Sequence, residues 1–182
     1  MKKIFLDWLP LAIVSTILFF TIYAVVQQSI RQSANDPQIQ MAEDYADSLA
    51  KGTNPNSIVN ATSFDISKSL STFVIVVDPN DKVISSSAQI GNSYPVPPKG
   101  VFDYAKNHDD NRLTWQPQNG VRLAIVVKKY FYNKTTSYIV VGRNLREIEM
   151  RENAIEEMIG AAWLAALILS WFAIYLAKKQ KV

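Results

Sequence analysis

The stretch FVIVVDPNDKVISSS at residues 73–87 decides the fold. Its first five residues, Phe73–Val77, are all apolar with β-branched side chains in the middle, a pattern typical of a strand buried on both faces. The Asp-Pro-Asn-Asp segment that follows predicts a turn, and residues 82–87 predict a second strand returning beside the first. A strand that is buried on both faces needs a cover on each side. The sequence therefore predicts a sheet lying between two layers.

Three further strands follow this hairpin. Within RLTWQPQNGVRLAIVV at residues 112–127, strands at 111–116 and 121–129 are predicted to pair across Pro117-Gln118-Asn119-Gly120, because Asn-Gly is a strong hairpin signal. A fifth, fully apolar strand is predicted at 137–141, ending at Gly142. The sequence thus predicts an α+β domain with an antiparallel five-stranded sheet.

Two amphipathic segments are expected to cover that sheet. Residues 36–51 predict a helix capped by Asp36, with Pro37 at its first position and apolar residues at helical spacing. Residues 99–107 predict a shorter helix that has Val101, Phe102 and Ala105 on one side. We expect the longer helix on one sheet face and the shorter helix, with neighbouring loops, on the other.

Two uncharged runs flank this domain, at residues 8–26 and 158–177. Each is long enough as a helix to cross the ~30 Å hydrocarbon core of a membrane. A cleaved signal peptide is the alternative for the first run, but such peptides usually have only about 7–15 apolar residues and a small-residue cleavage site. We therefore expect an uncleaved anchor at 8–26 and a second spanning helix at 158–177.

The last strand is followed by a helical pattern that begins near Asn144. Its apolar positions keep a spacing of three to four residues, with no proline before the second apolar run, so one helix is predicted to lead from the sheet into the membrane. Small residues form a stripe along the second run, which permits close helix packing; they are Ala162, Ala166, Ser170, Ala173 and Ala177. Pairing with the first run of the same chain and pairing with a second copy, as a homodimer, explain the stripe equally well.

Composition excludes several classes of function. The chain has no cysteine, which excludes disulfides, thiolate zinc sites and cysteine nucleophiles. Five lysines and one aspartate give residues 1–7 and 178–182 a charge of +4, so the remainder carries −1 of the total +3. That remainder has no basic face for phosphates, and a nucleic-acid partner is not expected.

The lysines also predict the topology. Because short flanks rich in lysine stay in the cytoplasm, residues 1–7 and 178–182 are expected to be cytoplasmic tips and residues 27–157 an extracytoplasmic domain. The expected location is the cytoplasmic (inner) membrane of a bacterium.

The order of elements resembles the PAS-like or Cache extracytoplasmic sensor domains of bacterial histidine kinases and chemoreceptors. The resemblance is carried by residues 73–87, by residues 112–127, and by YIVVGRNLREIE at 138–149. Such receptors continue inside the cell with output domains, but only residues 178–182 follow the second run here. The sequence also lacks the Arg-Trp-Tyr amino-acid signature of some double-Cache receptors, so the ligand class stays open.

The resemblance implies a sensory or regulatory module in signal transduction, as in two-component systems. It is expected to bind a small ligand or a protein and to signal through the second span to a membrane partner: a histidine kinase, a transporter or an envelope complex. No enzyme activity and no cofactor are expected. The alternatives are a structural subunit or assembly factor of a membrane complex, and the sensor part of a truncated receptor.

One candidate ligand site follows from the predicted hairpin. Trp115 and Arg122 flank the Asn-Gly turn, and a two-residue loop would place both side chains on one sheet face, whereas a bulged loop would separate them. Beside Tyr104 of the short helix, they would hold an anionic or aromatic ligand. A core tryptophan and a surface arginine are the alternative. His108, Asp109 and Asp110 offer metal ligands by composition, but an exposed polar loop is the favoured interpretation.

The topology is testable by cysteine labelling, because the natural chain contributes no background thiol. We expect Asn80→Cys to react with a membrane-impermeant maleimide in intact cells and Lys181→Cys to react only after the cells are opened. The reverse pattern would contradict the predicted topology.

Overall fold

The computed structural model describes residues 2–33, 36–59 and 62–180. The chain forms two compact units, one made of residues 32–148 and one made of residues 1–31 and 149–182. We refer to them as the sheet unit and the helical unit. Lys181 and the side chain of Asp36, both used in the predictions above, lie outside the described part of the chain.

The helices and strands follow the predicted order, with additions. The helices are α1 (Lys2–Ser33), α2 (Asp36–Ala50), α3 (Pro55–Ile58), α4 (Lys99–Asn107) and α5 (Arg146–Lys179). The strands are β1 (Phe64–Asp65), β2 (Phe73–Val77), β3 (Val83–Ser86), β4 (Ala88–Gln89), β5 (Asp110–Gln118), β6 (Val121–Tyr132) and β7 (Thr135–Asn144).

The main sheet has five antiparallel strands in the order β3-β2-β7-β6-β5, which confirms the predicted sheet. The β6–β7 hairpin is longer than expected, since its pairing extends from Leu123 opposite Asn144 to Tyr132 opposite Thr135. Its two-residue turn places Asn133 and Lys134 in the left-handed region. That turn lacks the glycine that marks many hairpins, which is why the sequence-based prediction ended β6 too early and began β7 too late.

Each face of the sheet has its own apolar cluster. On one face, α2 contributes Ala42, Ala46 and Leu49 against side chains from β2, β6 and β7. On the other, α4 contributes Phe102 and Ala105 against the alternate side chains of the same strands. All five residues of β2 are buried, as the FVIVV run requires. The predicted placement of the two helices on opposite faces is therefore confirmed.

A second, two-stranded sheet was not predicted. Strands β1 and β4 pair in parallel, with Phe64 opposite Ala88 and Asp65 opposite Gln89. Two residues are too few to show an alternating pattern, so the sequence carries no periodic signal for either strand.

Helices α1 and α5 contain the two predicted apolar runs, and each is long and apolar enough to cross a membrane. Large apolar side chains along them are exposed: Phe20 at 70%, Ile168 and Leu169 at 67%. The core helix of a water-soluble protein would bury such side chains. Helix α1 continues to Ser33, beyond the first run.

Gly142 is a tightly packed position in the sheet. It lies within β7 opposite Phe73, and a Cβ atom there would come within 2.5 Å of Phe73 Cζ and 2.7 Å of Ile125 Cγ2. Both neighbours are fully buried, so neither side chain has room to move.

We predict that Gly142→Ala destabilises the sheet unit by about 1–3 kcal/mol through overpacking. Pulse proteolysis of the full chain in mild detergent at increasing urea concentration measures this loss. The matched control is Gly100→Ala, because a Cβ in α4 meets nothing within 4 Å; we expect that variant to be as stable as the natural chain or slightly more so. Equal stability of both variants would contradict the tight packing at Gly142.

Candidate functional site

The three residues predicted to form a ligand site are not brought together. Trp115 is only 7% exposed and packs in the cluster beneath α4, whereas Arg122 is exposed on the opposite face of the sheet. Tyr104 is 50% exposed on α4, where its ring stacks on that of His108 at 3.9 Å. The expected cationic pocket on a shared face is therefore wrong.

A β-bulge causes this separation. The turn is a two-residue loop at Asn119 and Gly120, but the register shifts between Trp115 and Gln118, so that Trp115 lies opposite Leu123. Without the extra residue Trp115 would lie opposite Ala124, on the face that carries Arg122. Because side chains alternate along a strand, one inserted residue moves Trp115 to the other face.

The His108-Asp109-Asp110 cluster does not converge on one point. The His108 ring lies against Tyr104, and Asp110 accepts two hydrogen bonds from the Arg112 guanidinium. Asp109 pairs with Lys128 at 3.2 Å. Within the described ranges, no group of three or more His, Asp or Glu side chains is placed to hold a metal ion.

Lys128 links the sheet to α2. Its ammonium contacts Glu43 at 3.3 Å as well as Asp109, and its side chain is only 16% exposed. Burial alone would lower the pKa of Lys128, but the hydrogen bonds to Asp109 and Glu43 outweigh burial and raise it. The raised pKa of Lys128 therefore contributes stability that is fully present at neutral pH and is lost as the pH rises through the folded-state pKa of the lysine.

A cleft of about 500 Å³ opens on the α4 side of the sheet, between the loop that follows β4 and the end of β5. Its volume is within the range of small-molecule sites. The lining residues are Ile90, Ser93, Pro95, Val96, Pro98, Trp115, Gln116, Pro117 and Gln118. Of the three predicted site residues, only Trp115 lines this cleft.

Among the described residues, the cleft lining contains no charged side chain. Its polar side chains are neutral. Within the described ranges, no hydrogen bond is formed by the Trp115 indole N–H or by the side-chain amides of Gln116 and Gln118. The glutamines are exposed, whereas Trp115 is nine-tenths buried. A donor without a partner in the protein needs an acceptor from water or from a ligand, because leaving a donor wholly unpaired costs about 1–3 kcal/mol.

A second structured feature lies where the sheet passes into α5. Asn144, the last residue of β7, is 5% exposed and accepts a hydrogen bond from the Arg146 backbone N–H at 2.8 Å, which caps the helix. Its side-chain amide also donates to the Ile66 carbonyl at 2.9 Å. The Arg146 guanidinium donates to the Lys68 carbonyl at 3.0 Å. We call these contacts the helix clamp.

The segment held by the helix clamp, residues 66–68, is also bonded to the strand that leads into the cleft. Ile66 donates its backbone N–H to the Gln89 carbonyl at 3.0 Å, so the chain after β1 is tied to β4. We call the loop at residues 90–98, which follows β4 and lines the cleft, the cleft loop; it begins at the next residue, Ile90. Asp65 fixes the turn after β1, because the Ser67 hydroxyl and backbone N–H donate to its carboxylate and lower its pKa. A single short segment is therefore bonded both to β4, which leads into the cleft loop, and to the start of α5.

Within the helical unit, α1 and α5 pack against each other in opposite directions. The Trp8 indole N–H donates to Ser170 Oγ at 2.9 Å, and the Trp163 indole N–H donates to Thr16 Oγ1 at 3.1 Å. Asp7 forms an ion pair with Lys178.

This pairing divides the small-residue stripe. Ser170 and Ala166 are partly buried, and Ser170 contacts α1, while Ala162 and Ala173 are exposed. Pairing within the chain thus accounts for part of the stripe. The homodimer stays a prediction.

The sequence reading missed two features of the candidate site. The clamp role of Asn144 had a signal, since asparagine is a favoured N-cap residue and stands directly before the helical pattern. The cleft had a weaker one, in the proline-rich loop at residues 95–98. Neither protein-family models nor curated proteins match the chain. Function is therefore inferred from the geometry of the chain itself.

We predict that Asn144→Ala lowers the stability of the sheet unit by about 2–3 kcal/mol, because it removes a helix cap and leaves a buried carbonyl unsatisfied. Pulse proteolysis in urea again provides the measurement. The control is Asn107→Ala, which removes an exposed contact to the Asp103 carbonyl at 3.3 Å and is expected to change stability by less than about 0.5 kcal/mol. Equal losses for the two variants would refute the helix clamp.

Proposed function

We propose that this chain is a membrane-anchored sensory module whose sheet unit, a PAS-like or Cache domain outside the cytoplasm, binds a small ligand or a protein. Helix α5 then passes the state of that unit to a partner protein in the membrane. The observation that carries the proposal is the helix clamp, because it joins the start of α5 to the segment beside the cleft. The proposed role is non-catalytic.

The exposed apolar surfaces of α1 and α5 support the membrane anchor. Each exposed Å² of apolar surface costs about 25 cal/mol in water, and large side chains such as Phe20, Ile168 and Leu169 are mostly uncovered. A bilayer would cover them. The lysines at both outer ends of the two helices suit the cytoplasmic side.

The architecture of the sheet unit supports the PAS-like or Cache assignment. Its antiparallel sheet carries helices on both faces, and its last strand, β7, lies between β2 and β6 at the centre. Only Leu145 separates β7 from α5. The first turn of α5 therefore follows a central strand almost directly. This arrangement suits a signalling helix.

A structural subunit or assembly factor is the second candidate function. The observation that favours it is a pair of exposed aromatic residues at the β6–β7 turn, Phe131 at 61% and Tyr132 at 45% exposed. Exposed aromatic groups are frequent anchors in protein interfaces. In that role the helix clamp would only stabilise the fold, and α5 would carry no signal.

The two functions differ in whether a change at the helix clamp reaches the far end of α5. Spin labels at Lys3→Cys and Lys179→Cys, in the otherwise cysteine-free chain in lipid nanodiscs, report the distance between the ends of α1 and α5. We predict that Arg146→Ala shifts the mean distance by about 1–2 Å, the usual size of a signalling helix displacement. Asn144→Ala should shift it in the same direction.

Two controls sharpen this experiment. Asn107→Ala should leave the distance unchanged. Three glycines inserted after Ile148 should abolish the effect of Arg146→Ala, because a flexible joint cannot pass on the displacement. If neither clamp variant moves the labels, the sensory proposal is wrong and the structural role is favoured.

A further inference from the structure

We infer that the cleft between the cleft loop and the end of β5 binds an uncharged sugar, a mono- or disaccharide. The inference deepens the proposed sensory function, on which it rests, by naming the binding surface and the chemical class of the ligand. It also differs from the sequence-based expectation of a cation that holds an anionic ligand.

The described lining of the cleft carries no charged side chain, and this favours a neutral ligand. A carboxylate, phosphate or ammonium group that leaves water for a site without a counter-charge loses solvation that the site does not replace. The charged side chains nearest to the cleft along the chain, Lys99 and Arg112, are not in its lining. An uncharged molecule avoids this cost.

The polar groups of the lining select hydroxyls. The Trp115 indole N–H is a donor that lacks an acceptor within the described chain, and a ligand hydroxyl oxygen would supply one. Each glutamine amide both donates and accepts, as each hydroxyl does. Gln116 and Gln118 therefore match neighbouring hydroxyl groups on one ring.

The apolar part of the lining suits the faces of a sugar ring. Three prolines, Pro95, Pro98 and Pro117, give the cleft walls that lose little conformational entropy when a ligand is bound. Proline has no backbone N–H, so Pro117 removes a donor that a peptide would need to pair with β5 as an added strand. The apolar rings of the same prolines offer a surface against which the C–H face of a pyranose ring can pack.

The position of the cleft links the binding of a ligand there to the helix clamp. Ile90 begins the cleft loop, and its neighbour Gln89 is bonded to Ile66 in the segment that Asn144 holds. The Gln89 side chain also donates to the Gly91 carbonyl at 2.7 Å, which ties the first turn of the loop to β4. A ligand that draws the loop toward β5 would therefore pull on the segment that contacts α5.

The test uses the full chain labelled with 5-fluorotryptophan in nanodiscs, in which the four tryptophans give four fluorine resonances. The Trp115 resonance is assigned by its loss in Trp115→Phe. The probes are neutral mono- and disaccharides, among them glucose and N-acetylglucosamine. Glucuronate and glucosamine supply charged sugars of similar shape, and N-acetyl-prolyl-amide supplies a neutral peptide.

We expect a saturable shift of the Trp115 resonance with at least one neutral sugar and no shift of the other three. Gln118→Ala should weaken the binding of that sugar about tenfold, since it removes a hydrogen bond worth roughly that factor. Trp115→Phe should weaken binding by a similar factor, and because this variant lacks the Trp115 resonance its affinity is measured by calorimetry. Gln40→Ala on the exposed surface of α2 is the matched control and should bind normally. Gln118→Ala keeps the test valid if Trp115→Phe does not fold.

Three results would overturn the inference: a response only to charged sugars, a response only to the peptide, or no response. These outcomes are separable from failure of the proposed function. If a neutral sugar shifts Trp115 but the spin-label distance is insensitive to the clamp variants, the cleft assignment stands and the sensory role fails. If the clamp variants move the labels while no sugar binds, the sensory role stands and the cleft assignment fails.

Discussion

Burial of both faces of β2 and β7 is the constraint on which the rest of the sheet unit depends. Their side chains are apolar in both directions, so each face needs a cover that is itself apolar on the side it presents. Helix α2, with fifteen residues, covers one face, whereas α4 has only nine. Loops complete the second cover. The cleft lies on that side because loops follow a sheet surface less closely than a helix does.

The sequence predicted what depends on long patterns and missed what depends on one or two residues. Five consecutive apolar residues, an Asn-Gly turn and two runs of about twenty uncharged residues each left one structural interpretation. The bulge between Trp115 and Gln118 moves the Trp115 side chain to the other face of the sheet, yet no pattern in the sequence marks it. A proline next to two glutamines fits either register, so the candidate site depended on a detail that only the structure supplies.

Asn144 shows how one polar side chain serves two purposes. Its oxygen caps α5 and its amide nitrogen holds the segment after β1, so its hydrogen-bonding capacity is used although it is buried. An apolar residue there would pack as well but would leave the helix start and the Ile66 carbonyl unpaired. The start of α5 is thus held by hydrogen bonds, which are directional, rather than by apolar contact, which is not.

The sheet unit contains central strands that are long and tightly packed, and two short strands that few backbone hydrogen bonds hold in place. The central strands do not slide, because a shift of one residue would turn their polar neighbours inward and would drive the Gly142 position against Phe73. Strands β1 and β4 have only two residues each and lie outside that sheet. Fewer backbone hydrogen bonds therefore hold β1 and β4 than hold the central strands. Because the helix clamp holds the residues that follow β1, this short paired segment is also the one bonded to the start of α5.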